Sequence, residues 1–128
     1  MAERSVVYAQ SALYYYQNKK YNESIVCYYY SVLHQMIYSL LNSNNRPIQK
    51  FEINPNSEDL HLRVLYKIKE RISTSDDKTF ESKFNDLLEL RHKADYSEDD
   101  SSEEDALKSW DLHDSLMGLL RTYFPVNS

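Results

Sequence analysis

At 128 residues and 15.2 kDa, with one glycine and three prolines, the chain is a single domain that can bury a core without cross-links. Its net charge of −5 excludes a protein that coats nucleic acid by bulk electrostatics, while leaving room for a local basic surface. The lone Cys27 excludes an internal disulfide, and no apolar run approaches the roughly 18 residues of a membrane span or a signal-type core, so the chain reads as soluble and cytoplasmic.

Scarce glycine disfavours the many tight turns of an all-β fold. Every apolar segment instead follows the helical period, and the expectation is an all-α, up-and-down four- to five-helix bundle spanning residues 1–128. The first helix is predicted over about Ala2 to Lys19, with Val6, Gln10, Leu13 and Tyr16 facing inward. Eight of the 12 tyrosines fall in the first 30 residues, which places many hydroxyls at the rim of a core or at an interface. After the polar Gln17 to Lys20, Asn22 is the natural cap of a second helix, about Glu23 to Asn42. Ile25, Tyr29, Val32, Met36, Ile37 and Leu40 make its stripe, and so apolar a helix is central in a bundle.

A long Asn-rich connection with Pro47 and Pro55 has room for a short ordered turn. Asn56 or Ser57 then caps a third helix, Glu58 to about Ile72, with His61, Leu65, Ile68 and Ile72 inward. On another face Arg63, Lys67 and Arg71 stand four apart, either as an ordinary solvated face or as a phosphate-tracking stripe. STSDDKT is a loop with helix-start chemistry ahead of the helix FESKFNDLLELRHKADY. The acidic block Glu98 to Asp105 forms a flexible loop at about residues 97–104 and then starts the last helix, with Ser101 and Glu104 matching a capping box. That helix carries Ala106, Trp110, His113, Met117, Leu120 and Phe124 inward and stops at Pro125.

The chemistry concentrates in the fourth of these helices. Phe80, Phe84, Leu87 and Leu88 form a stripe that runs on into Arg91, Ala94 and Asp95, so an i, i+4 ion pair reaches the packing face. Such a pair is either a structural lock or a site. Scattered histidines and one cysteine offer no zinc ligand set, and Ser115, His113 and Asp114 are sequence neighbours that point apart rather than a triad. No metal and no cofactor are called for.

Residues 12–33 resemble a tetratricopeptide unit, but no copy follows after the roughly 34 residues of that repeat. A closer resemblance is to the HEPN (higher eukaryotes and prokaryotes nucleotide-binding) domain family. It is carried by YNESIVCYYYSVLHQMIYSLL, similar to that family's opening Y-x-x-A-hydrophobic-x-R-x-Y-Y-A, and by Arg91 to Tyr96, RHKADY, similar to its R-x-x-A-D-Y. With the long connection between them, the resemblance covers most of residues 5–123. It implies a helical bundle that dimerises with its arginine-bearing helices together. It also implies a role as a metal-independent ribonuclease, as the partner of a minimal nucleotidyltransferase, or as a binding module in toxin–antitoxin and phage-defence systems. The nuclease subset carries an arginine, then four to six residues, then a histidine. Here Asp95 and Tyr96 stand four and five positions after Arg91, His92 is adjacent to it, and no arginine has a histidine five to seven positions on.

The resulting expectation is a homodimeric binding or regulatory module for RNA, a nucleotide or a partner protein, with no membrane role. The alternatives are a divergent ribonuclease using Arg91, Asp95 and Tyr96, and a non-catalytic dimeric scaffold. The candidate binding residues are Arg91, His92, Arg63, Lys67 and Arg71.

Overall fold

The computed structural model describes residues 3–53 and 59–125 and contains five α-helices: α1 (Glu3–Gln17), α2 (Tyr21–Asn42), α3 (Leu60–Lys69), α4 (Thr74–Tyr96) and α5 (Glu103–Tyr123). A 3₁₀ turn, Lys50–Glu52, interrupts the long connection. The all-α bundle expected from the periodicity is what forms, and no strand occurs among the described residues. The caps expected at Asn56 or Ser57 lie outside the described residues. Among those residues, no helix is long and apolar enough to cross a membrane.

Helix α2 is the axis. Ile25, Tyr29, Val32, Met36 and Leu40 are buried on it, and they meet Leu65 and Ile68 of α3, Phe80, Phe84 and Leu87 of α4, and Leu116 and Leu120 of α5 in one core. The three- and four-residue spacing of these large side chains explains why α2, α4 and α5 follow the expected faces. Trp110 departs from its stripe. It is half-buried at the rim, meeting the Tyr16 ring edge-on at 5.5 Å and stacking on the Tyr28 ring at 6.0 Å.

Helix α1 corrects the expected inner face. Of the expected residues Gln10 and Leu13 are exposed, Val6 and Tyr16 are partly buried with Tyr16 against the core, and the fully buried positions are Ser5 and Ala12. The contact with α2 runs through small residues. Ser24 Oγ donates to the Ala12 carbonyl at 2.8 Å, and Ser5 Oγ donates to the Ser31 carbonyl at 2.8 Å. A hydroxyl reaching the neighbouring backbone needs the two helices close together, which only small side chains allow. Apolar size alone therefore misses the residues of α1 that make its closest contact.

The turns are built by polar groups. Lys19 takes a positive φ of 60°, which lets the Lys20 N–H return to the Tyr15 carbonyl at 2.8 Å and closes α1. Asn22 does not cap α2, which begins one residue earlier. Its side chain reaches instead to the acidic connection, accepting from the Ser101 N–H at 2.9 Å and donating to Asp100 at 3.4 Å. That contact holds the end of the segment expected to be a flexible loop, and Ser101 is buried. The capping box of α5 is shifted by one residue, with Ser102 as the cap and Asp105 as its partner. Lys93 adds an ion pair to Asp105 at 2.8 Å, joining the end of α4 to the start of α5. At the opposite end of the bundle, the Asn45 amide donates to the carbonyls of Arg71 at 2.8 Å and Tyr123 at 2.9 Å.

Candidate functional site

The stripe of α4 delivers Arg91 just beyond the buried Phe84 and Leu87. Its guanidinium lies 5.0 Å from the ring centre of Tyr29 and 5.4 Å from that of Tyr30, both on α2. Its Nε donates to Asp95 Oδ2 at 3.2 Å, one turn further along α4. Two ring faces and one carboxylate therefore fix the plane of the guanidinium, while its side chain keeps 20% of its surface exposed. Burial pushes the Tyr29 phenol up to about 12, and the neighbouring Arg91 charge opposes that rise.

Helix α3 contributes a residue that spacing along α4 could not reveal. His61 is half-buried, and its imidazole is held below its ordinary value first by burial, then by the positive charge of Arg91 and by His92. His92 itself is exposed and meets the Tyr96 ring edge-on at 5.9 Å. Tyr96 turns away from the pair and is 75% exposed. Of the three residues expected to act together, Arg91 and Asp95 are joined and Tyr96 is not.

The basic stripe of α3 is only partly available. Arg71 Nη1 donates to the Lys67 carbonyl at 2.7 Å and its Nε to the Arg46 carbonyl at 2.8 Å, so this guanidinium closes the end of α3 and ties down the connection. Lys67 pairs with Glu52 at 3.5 Å. Arg63 is exposed and carries no described ion pair. This geometry does not present the three cations as a continuous track for phosphates.

A second arrangement has the atoms of a hydrolytic triad. Ser31 Oγ lies 3.0 Å from His113 Nε2, and His113 Nδ1 lies 2.9 Å from Asp114 Oδ1. Because a carboxylate only accepts, Nδ1 carries the proton, and Nε2 is an acceptor that competes with the Ser5 carbonyl for the single proton of the Ser31 hydroxyl. Ser31 has no accessible surface, however, and its hydroxyl also lies 2.9 Å from the Ser5 carbonyl. No substrate carbonyl reaches a nucleophile placed there, and the chain serves as a polar link between α1, α2 and α5. Ser115, the serine nearest in sequence, takes no part. Among the described residues, no group of three or more His, Cys, Asp or Glu side chains is placed to hold a metal.

Comparison with protein-family models, curated proteins and solved structures gives no match.

The pairing of Arg91 with Asp95 is open to direct measurement. A double-mutant cycle of Arg91→Ala and Asp95→Ala is expected to give a coupling of about 0.5 kcal/mol in urea unfolding, the size of a partly exposed i, i+4 pair. Strict additivity would mean that Arg91 is held by its rings alone.

Proposed function

We propose that this chain is a HEPN-like binding or regulatory module whose Arg91 corner takes a phosphate group of RNA or of a nucleotide. The observation that carries the reading is the orientation of Arg91: a guanidinium fixed by two tyrosine rings and Asp95, and partly exposed. A planar donor fork of fixed orientation recognises phosphate oxygens in pairs, and a lysine ammonium does not replace it. The resemblance in RHKADY supports the same reading and suggests a setting in toxin–antitoxin or phage-defence systems. A homodimer of the kind the resemblance implies would bring two such corners near one axis and strengthen the attraction for phosphate.

A second reading is a metal-independent ribonuclease. RNA cleavage by its own 2′-hydroxyl needs a base, an acid and a cation on the phosphate; Arg91 would supply the cation, and His92, its neighbour in sequence, or His61, whose imidazole the Arg91 charge holds down, would supply the proton transfer. Neither imidazole stands at the usual nuclease spacing from Arg91, so binding remains the first reading.

Calorimetric titration with AMP and with a short oligoribonucleotide tests both. Arg91→Ala is expected to weaken binding by about tenfold or more, and Arg91→Lys to leave most of that loss in place. Unchanged affinity in Arg91→Ala overturns the phosphate reading and leaves the pair as a structural lock. Cleavage of the oligonucleotide that survives EDTA and is lost in His61→Ala moves the protein to the ribonuclease reading.

A further inference from the structure

His34, Ile37 and Leu41 form a short row on α2 that the packing leaves only partly buried. With Arg4 of α1, Lys50 and Ile53 of the connection and Leu60 of α3, they line a cleft of about 330 Å³. That volume lies at the lower end of the roughly 300–1,000 Å³ of small-molecule sites. The Tyr8 ring lies flat on the His34 ring at 5.2 Å and holds that wall in place. The opposite wall is pinned as well. The Ile48 N–H donates to the Leu40 carbonyl at 2.8 Å, and the Gln49 N–H donates to Glu52 at 2.7 Å. Glu52 in turn pairs with Lys67 of α3 at 3.5 Å. Lys50 is therefore presented to the cleft by a fixed turn. The lining is one-sided in charge: it holds two permanent cations and no Asp or Glu, and no ion pair is described for Arg4 or Lys50. In a chain of net charge −5, such a lining selects a negative group. Burial, and then the Arg4 charge, hold the His34 imidazole below its ordinary value, which leaves Arg4 and Lys50 to set the field at neutral pH.

We propose that this cleft binds a free carboxylic acid with an unbranched apolar tail, of the medium-chain fatty acid class, its carboxylate held by Arg4 and Lys50 and its tail against Ile37, Leu41, Ile53 and Leu60. From His34 to Leu41 the row spans about 10 Å at the helical rise, the reach of a chain of about eight carbons. The apolar lining is aliphatic throughout, which suits a flexible alkyl tail. A nucleobase or an aromatic acid finds only the His34 ring, already covered on one face by Tyr8. Burial of the tail supplies most of the affinity, and the two cations supply the preference for an acid over a neutral or cationic amphiphile. The cleft draws on neither Arg91 nor phosphate binding.

Octanoate is the probe, titrated into the full chain at low salt and followed by calorimetry and by amide NMR. It is expected to saturate one site with a Kd of about 100 μM and to shift the amides of Ile37, Leu41 and Ile53. Acetate keeps the charge without the tail, and octylammonium keeps the tail with the opposite charge; each is expected to bind at least about tenfold more weakly. Arg4→Ala with Lys50→Ala is expected to weaken octanoate by about tenfold and to leave the fold intact, because both side chains are exposed. Ile37→Trp, with circular dichroism showing an intact fold, fills the cleft and is expected to abolish binding. Arg91→Ala should leave octanoate affinity unchanged whatever it does to AMP, so this proposal and the phosphate reading fail separately. The proposal is overturned if octanoate saturates no site by about 5 mM, or if acetate or octylammonium binds as tightly. It is also overturned if Arg91→Ala removes octanoate binding, or if the affinity is unchanged in the Arg4 and Lys50 double variant or in folded Ile37→Trp, because the acid then sits elsewhere.

Discussion

Phe84→Ala is expected to lower folding stability by about 3–5 kcal/mol, a large share of the roughly 5–15 kcal/mol that holds a domain together. Phe84 is 1% exposed and stands where α4 meets α2, with its ring 5.7 Å from that of Tyr29. Truncation removes the transfer free energy of the ring and leaves a cavity that rigid helices close only in part. The effect extends to the candidate site, because the Tyr29 ring that loses its neighbour is also the ring under Arg91. Urea unfolding should show the loss as a lower midpoint. Phosphate affinity measured well below that midpoint should fall with it. A cost below about 1 kcal/mol would place Phe84 outside the core and contradict this packing.

Ser31→Val is expected to cost about 2–4 kcal/mol, although the residue is small and the replacement apolar. The hydroxyl it removes is reached by His113 Nε2 at 3.0 Å and by Ser5 Oγ at 3.2 Å, in a site without solvent. Valine leaves the imidazole nitrogen unpaired and pushes branched carbon into a close helix contact. Ser31→Ala, which omits the added bulk, should cost less than valine. A valine variant as stable as the parent would show that the polar link contributes nothing.

The same link gives stability a definite dependence on pH. Burial holds His113 below its ordinary value, and Asp114 only partly offsets this. The folded state therefore favours the neutral ring. Stability is fully present above the unfolded-state value near about 6.5 and is lost as pH falls from there toward the folded-state value, because the unfolded chain takes up the proton first. Burial lowers His34 and His61 in the same direction. In a His113→Gln variant the fall in stability between about pH 7 and 5 should become shallower.

The stripes of α2 and α4 were legible in the sequence because large apolar side chains at a 3.6-residue period leave little choice of face. The same stripe carried the reading as far as Arg91 and Asp95, and their spacing predicted the pair that forms. Helix α1 was misread because Ser5 and Ala12 make the contact by being small, which no scale of apolarity rewards. The early starts of α2 and α4 reflect turn chemistry at Lys20 and Ser73 that single-residue propensity locates only within a few positions. His61 and the Ser31–His113 link lay beyond reach for another reason. They join residues 30 and 82 positions apart, and the chain order contains no signal of which helices will touch.

The serines between α1 and α2 also decide how the first hairpin may slide. A helix held by exposed tyrosines and bulk apolar contact can slip one turn along its neighbour at little cost, trading one greasy surface for another. Ser5 opposite Ser31 and Ala12 opposite Ser24 forbid that move. A shift of a single turn would strand buried hydroxyls and drive larger side chains into the close approach. The hydroxyls thus select one register out of several that hydrophobicity alone would leave nearly equal in energy.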